Sequence, residues 1–185
     1  MFKLYTEERP TFRFQDYGTL ISRVQGDGAK TALEFGPGIS TLALIEAGLE
    51  RVVTLEYDPE WFDKAKERFR EYPQVEVRRF WDEPEARAEL EPDERFDVAF
   101  VDSPKGYKNI PGVTPPGGRK RHPGQEDCSR FNTCLLALKH APIVYLHDAY
   151  RPLERGTLGR LNAMGHRFDF IHTKVGMARI VRDGH

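Results

Sequence analysis

The stretch Leu33 to Thr41, LEFGPGIST, ends an apolar run in an acid, Glu34, and two closely spaced glycines, Gly36 and Gly38, before Ser40 and Thr41 open a helix. Glycine reaches backbone conformations closed to other residues and lets a ligand approach the main chain, while the first amides of a helix lack internal partners. The loop therefore suits a polar, nucleotide-like ligand, although a tight strand-to-helix turn that binds nothing would show the same two glycines. Further acids end other apolar runs: Glu56 closes RVVTLE, Asp102 closes FDVAFVD, and His147 and Asp148 close IVYLHD. Asp102, His147 and Asp148 are the catalytic candidates. Such groups can take a proton from a hydroxyl, or hold a divalent ion of the magnesium, manganese or cobalt type through oxygen and imidazole donors. The plainer alternatives are that Asp102 caps a turn and that His147 bonds to backbone.

The elements that must position these residues follow from periodicity. The second half of YTEERPTFRFQDYGTLISRV has apolar spacing suited to a helix ending near Gly26 and Gly28. TALEF is a short strand, followed by the glycine loop and a helix to about Gly48. After RVVTLE, Asp58 and Pro59 provide a cap and first position for a helix in DPEWFDKAKERFREY. VEVRRF is a third strand, and the charged stretch EPEARAELEPDE is expected to be a solvated surface helix or loop. FDVAFVD reads as a strand buried on both sides. A helix through His140, the strand IVYLHD, a helix around Leu153 to Met164 and the pair FDFIHTK and GMARIV complete the chain, with a hairpin turn at Lys174 to Gly176.

Alternating strands and helices imply an α/β fold: about seven strands in a mostly parallel sheet, helices on both faces and a C-terminal antiparallel hairpin at one edge. Ligands bind such sheets beyond the carboxyl ends of the strands, which would bring Glu34, Glu56, Asp102 and Asp148 to one rim. The 185 residues suit one domain, with residues 1–28 as an N-terminal cover segment and 103–126 as an active-site loop. Tyr5, Phe12, Phe14 and Tyr17 would either cover a ligand or pin the segment to the core.

Lys plus Arg at 28 nearly cancel Asp plus Glu at 29, so no global field holds the chain to nucleic acid or an anionic membrane. No apolar run approaches a membrane span and the N-terminus lacks a secretory signal, which leads to a cytoplasmic expectation. Cys128 and Cys134 fall on roughly opposite faces of a predicted helix, which favours free thiols over a mutual disulfide. A homo-oligomer stays open.

Two cofactor readings compete for the glycine loop: a nicotinamide-type dinucleotide and S-adenosylmethionine. Thr41 replaces the third glycine of the dinucleotide fingerprint, and Glu34 beside the loop would repel a diphosphate but suit a cationic ligand. With LEFGPGIST, VVTLEYDPEWFDKAKER and FDVAFVD in this order, most of the chain resembles the class I S-adenosylmethionine-dependent methyltransferases, whose fold is Rossmann-like. By that likeness Gly36 and Gly38 would adjoin the methionine part, Glu56 would bind both ribose hydroxyls, and Phe80, Trp81 or Asp82 would border the adenine. Glu34, Ser40, Thr41, Tyr57 and Asp102 complete the candidate cofactor set. Phe80 and Trp81 read equally well as core aromatics.

VDSPKGY, PGGR and YLHDAYRPLE are similar to the motif series of the glucuronoxylan 4-O-methyltransferase-like family of polysaccharide methyltransferases. That resemblance implies an O-methyl acceptor and, as an option, a divalent ion at Asp102, His147 and Asp148. The chain departs from the family in the inserted VTPPGGRKRHPG and in having no secretory targeting segment, so xylan itself does not follow. Tyr107, Arg119, Arg121 and His122, with Lys105, Lys108 and Lys120 near them, are the substrate-binding candidates. The basic run would clamp an acidic or phosphorylated small molecule or saccharide, a uronic acid carboxylate among them, or would simply be solvated. The resulting expectation is an S-adenosylmethionine-dependent O-methyltransferase. The alternatives are an NAD(P)-dependent oxidoreductase and a non-catalytic cofactor-binding protein on the same fold.

Overall fold

Short runs of branched and aromatic residues bury almost completely in the computed structural model, which describes residues 14–81, 86–103, 130–182 and 184. The elements are α1 (Phe14–Gly26), β1 (Thr31–Phe35), α2 (Ile39–Glu46), β2 (Arg51–Glu56), α3 (Pro59–Arg68), β3 (Val75–Trp81) and β4 (Arg87–Ala88), then β5 (Val98–Val101), α4 (Phe131–His140), β6 (Ile143–His147), α5 (Pro152–Ala163), β7 (Arg167–Ile171) and β8 (Met177–Val181). In β1, β2, β5 and β6 every residue is buried except the first of β1, β2 and β6, as a sheet covered on both faces requires. Helix α3 starts where the sequence indicates. Asp58 accepts from the amides of Glu60 and Trp61 at 3.0 and 3.2 Å, Pro59 takes the first turn, and Lys66 and Arg68 lie at the negative end of the helix dipole.

The strands lie in the order β4-β3-β2-β1-β5-β6-β8-β7. β1 pairs in parallel with β2 and β5, β2 with β3 and β5 with β6, while β8 runs antiparallel to both β6 and β7. Alternate side chains feed two cores. Leu33, Phe35, Leu55, Val101 and Leu146 pack with Cys134 and Leu138 of α4 and with Leu158 and Leu161 of α5. On the other face Ala32, Val52, Phe100 and Tyr145 pack with Leu20 and Val24 of α1, Leu42 of α2 and Phe69. Cys134 is a buried free thiol, while Cys128 lies outside the described residues. Among the described residues no helix is long and apolar enough to cross a membrane.

The eighth strand is the departure from the sequence reading. Residues 87 and 88, inside the stretch expected to be a solvated helix or loop, pair antiparallel with Phe80 and Trp81. The reason is electrostatic. Glu94, whose side chain is only 10% exposed, binds the guanidinium groups of Arg78 (2.8 Å) and Arg51, and Arg78 donates to the carbonyl of Glu89 at 3.0 Å. That anchoring folds the charged stretch back against β3 instead of releasing it into solvent.

Chain order reverses between β1 and β5, the place where sheets of this kind bind ligands beyond their carboxyl ends. The amide of Asp102 donates to the carbonyl of Phe35 at 3.1 Å and that of Gly36 to Leu55 at 2.9 Å, so the loops after β1, β2 and β5 are tied together at this edge. The β7–β8 turn reaches the same edge. The amides of Ala149 and Tyr150 donate to the carbonyls of Gly176 and Val175 at 3.0 and 3.2 Å. Gly176 has φ +77, and a Cβ there would stand 2.6 Å from the Tyr150 ring. Gly176→Ala should therefore lower stability by about 2 kcal/mol or more, a fall of roughly 4–8 °C in Tm by thermal denaturation. Gly156→Ala, in helix α5 with nothing within 4 Å of the added methyl, should leave Tm unchanged or raise it.

Candidate active site at the carboxyl edge of the sheet

Glu34 is fully buried and organises the glycine loop. Its two carboxylate oxygens accept from the hydroxyls of Ser40 and Thr41, both at 2.6 Å, and the Thr41 hydroxyl in turn accepts from the amide of Gly38 at 2.9 Å. Burial pushes the Glu34 carboxyl up to about 7, against the lowering effect of hydrogen bonds from Ser40, Thr41 and Thr54, with the charge of Asp102 adding to the rise. The two glycines serve different ends. Gly36 has φ +97 and a Cβ there would meet that of Ser103 at 2.9 Å, so its glycine is demanded by the fold. Gly38 is extended, at φ 178, and faces open space where its Cβ would be, as a cradle for a ligand requires.

At the end of β2, Glu56 is 7% exposed and its Oε1 accepts from the amides of Tyr57 and Asp58 at 2.8 and 2.9 Å. The aromatic candidates separate. Phe80 is buried, edge-on to Phe35 at 5.2 Å and to Tyr57 at 6.3 Å, so it belongs to the core. Trp81 is 39% exposed, with the Arg87 guanidinium 5.3 Å from its ring centroid, and so remains available to a ligand. Tyr17 is buried in the core and its hydroxyl donates to Glu46 at 2.7 Å, so it pins α1 to α2 and covers no ligand. Asp82, Tyr107, Arg119, Arg121 and His122 lie outside the described residues, as do Tyr5 and Phe12 and the lysines at 105, 108 and 120.

Asp102, His147 and Asp148 converge as their positions at strand ends predict, with ligand-capable atoms within 4.8 Å of one another. The Nδ1 of His147 lies 3.1 Å from Asp102 Oδ1 and 3.8 Å from Asp148 Oδ2, and its Nε2 lies 3.9 Å from Asp16 Oδ1. His147 is buried, whereas the Asp102 side chain is 26% exposed and forms the accessible face of the group. Asp148 has φ 58, a conformation that strains a residue with a Cβ and that occurs preferentially at functional edges.

Three members of this group carry no signal by residue spacing: Asp16 in α1, Arg130 before α4 and Glu154 in α5. Arg130 is fully buried. Its Nη2 lies 3.0 Å from Asp102 Oδ1 and 3.2 Å from Asp148 Oδ2, its Nη1 donates to the carbonyl of His147 at 2.8 Å, and its Nε stands 3.9 Å from Glu154. The amide of Arg130 donates to Glu154 at 3.2 Å, while Arg151 reaches Asp148 from outside at 2.8 Å. Glu154 ends YLHDAYRPLE, where the resemblance assigns it no role, and Arg130 precedes a run read only as a helix. Burial raises the carboxyl of Asp102, but the charges of His147 and Arg130, the His147 hydrogen bond and the charge of Arg151 outweigh it and hold the group well below the ordinary carboxylate range. Burial lowers the imidazole of His147, yet Asp102 and Asp148 raise it above its usual value.

Two carboxylates and an imidazole are a fitting donor set for a divalent ion. As placed, however, the Asp102 and Asp148 oxygens already share a guanidinium, and the imidazole points its Nδ1 at one of them. A guanidinium and a dication about 4 Å apart repel by roughly 8 kcal/mol at an effective dielectric of 20. An ion bound through those same oxygens would therefore compete with Arg130 for them.

No protein-family model matches the chain, and no curated protein does. Solved structures match throughout the fold. A methyltransferase of Podospora anserina bound to S-adenosylhomocysteine aligns with a TM-score of 0.57 at 19% identity, over 90% of this chain and 78% of that one. An O-methyltransferase of Bacillus cereus in complex with the same molecule aligns with a TM-score of 0.59 at 18% identity, over 97% and 84%. The O-methyltransferase TomG of Streptomyces achromogenes, involved in tomaymycin synthesis and bound to S-adenosylmethionine, aligns with a TM-score of 0.60 at 17% identity, over 93% and 81%. The chain has the Rossmann-like methyltransferase fold. In this fold the strand-order reversal between β1 and β5, the glycine loop and the buried charge cluster all lie at one edge.

Glu34 yields a pH test. The folded chain holds its proton from about 4.5, the ordinary value, to about 7, while the unfolded chain releases it, so this contribution to stability is complete below pH 4.5 and is lost as pH rises to 7. The loss amounts to about 3 kcal/mol. Denaturant titrations at pH 5 and pH 8 should show a smaller drop for Glu34→Gln than for the parent by that order; equal drops would remove Glu34 from the titrating groups.

Proposed function

We propose that the chain is an S-adenosylmethionine-dependent methyltransferase acting on the hydroxyl of a small-molecule or saccharide acceptor. The observation that carries this reading is the placement of a single accessible carboxylate, Asp102, backed by His147 and Arg130, directly beside the glycine loop at the strand-order reversal. Gly38 and Glu56 would hold the cofactor, with Glu34, Ser40 and Thr41 bracing the glycine loop from beneath and Tyr57 and Trp81 at the neighbouring strand ends. Thr41 in place of the third glycine of the dinucleotide fingerprint supports S-adenosylmethionine over a nicotinamide dinucleotide.

When bound, the cofactor supplies a methyl group on a positively charged sulfur. The chain must orient the acceptor oxygen and remove its proton. Asp102 remains ionised through the neutral range, so it accepts a hydrogen bond from the hydroxyl at any working pH. A weak base suffices there, because an alcohol oxygen that is acquiring a third bond becomes far more acidic than a carboxylic acid. His147 and Arg130 hold Asp102 in place, and their positive charge keeps it ionised. Asp148 completes the shell around Arg130. The basic run at Arg119, Arg121 and His122, with Tyr107, would select an acidic acceptor. The similarity of YLHDAYRPLE and its companion motifs to polysaccharide methyltransferases supports a uronic acid sugar as the first acceptor to try.

The test pairs calorimetric titration of S-adenosylhomocysteine and NAD with transfer of labelled methyl to a panel of hydroxylated acceptors that includes uronic acid saccharides. S-adenosylhomocysteine should bind and NAD should not; binding without transfer to any acceptor would leave a cofactor-binding protein. Asp102→Asn should lower transfer by about 100-fold or more while S-adenosylhomocysteine affinity stays within a few-fold. Glu56→Ala, which removes a charge-assisted hydrogen-bond acceptor, should weaken S-adenosylhomocysteine binding by about 10-fold or more. Unchanged turnover in the first variant would remove Asp102 from the proton transfer.

A further inference from the structure

We propose that the guanidinium of Arg130 is a built-in substitute for a divalent metal, occupying the place between Asp102 and Asp148 that an ion would otherwise fill. The cluster therefore works without one. The proposal builds on the reading of this edge as the reacting centre, but the geometry behind it is independent of any acceptor.

Arg130 is held as a metal would be. It is fully buried, its Nη2 bridges oxygens of two carboxylates from the ends of two adjacent strands at 3.0 and 3.2 Å, and its Nη1 takes a backbone carbonyl at 2.8 Å. Its Nε faces Glu154, and its own amide is anchored to the same carboxylate. A planar fork can meet three acidic side chains and a carbonyl in this way, whereas a lysine ammonium would reach one or two of them. The charges also close. Asp102, Asp148 and Asp16 are matched by Arg130 together with the His147 imidazole and, from the exposed side, Arg151. Glu154, buried beside Arg130, is shifted by that burial toward its neutral form. A dication added to this set would leave an uncompensated positive charge in a dry corner.

Arg130 acts here as a positioning residue. It fixes the two carboxylates and keeps Asp102 ionised, which is part of what a metal would do, but it leaves no open coordination position for an acceptor oxygen. The acceptor hydroxyl is then bound by Asp102 alone on the exposed side of the cluster.

The test is titration of Mn2+ followed by the electron paramagnetic resonance signal of the free ion, read on the whole chain and independent of methyl transfer. The parent should leave the signal unchanged with protein in excess. Arg130→Gln, which keeps a polar side chain but removes the cation, should gain Mn2+ affinity by about tenfold or more, and a second change, Asp148→Asn, should abolish the gain. A merely structural arginine would not alter metal affinity in this way. Mn2+ binding by the parent that Asp102→Asn or Asp148→Asn abolishes would overturn the proposal, and so would a folded Arg130→Gln variant that gains nothing. Where Arg130→Gln does not fold, Mn2+ binding by the parent still overturns the proposal. If methyl transfer to some acceptor is found, its rate should survive exhaustive chelation; a chain that binds S-adenosylhomocysteine but transfers no methyl would fail the functional reading while leaving the Mn2+ result to stand on its own.

Discussion

Three acidic side chains and an imidazole cannot share a dry corner of a protein without a cation among them, and Arg130 is the cation that lets the carboxyl edge of this sheet exist. Breaking one partner out of a buried charge pair costs about 3–5 kcal/mol, because the other is left without compensation. Here the penalty would fall on the ends of β5 and β6 and the first turn of α5 together. The same contacts set the ionisation of Asp102 and the pose of His147, so stability and chemistry at this edge rest on one side chain.

The glycine loop rests on a second buried acid. Glu34 collects the hydroxyls of Ser40 and Thr41, and Thr41 returns a bond to the Gly38 amide, which draws the loop and the first turn of α2 into one piece. Gly36 is used to let β5 and its following residues come close, while Gly38 leaves room in front of the loop. The proposed cofactor and acceptor sites adjoin across the hydrogen bond from Asp102 to Phe35. The hairpin turn at Gly176, packed on Tyr150, buttresses the strained residue Asp148 from the far side.

Much of this was readable in the chain. Alternation of buried apolar runs with helical periodicity indicated seven of the eight strands and both helical layers, because burial on two faces leaves few ways to spend a Val- and Leu-rich segment. Asp58 and Pro59 announced α3 through capping, which is local chemistry. β4 was hidden for the opposite reason. Its pairing depends on Glu94 meeting Arg51 and Arg78, residues far apart in sequence, and charged side chains read as solvated until their partners are known. Arg130, Asp16 and Tyr17 were missed or left undecided on the same ground: whether a polar or aromatic group is buried depends on what packs over it.

By itself, then, the sequence determined the order of elements, the glycine turn and the acids that end the strands, since periodicity, capping and the backbone freedom of glycine act over a few residues. It thereby brought Glu34, Glu56, Asp102, His147 and Asp148 to one rim before any coordinates. The tertiary structure decided what fills the space between those acids. Spacing along the chain suggested a metal or a base, and only the fold shows a buried guanidinium reaching two strand ends at once. The reason is physical: the sign and strength of an electrostatic site depend on distances and burial that a linear sequence does not contain.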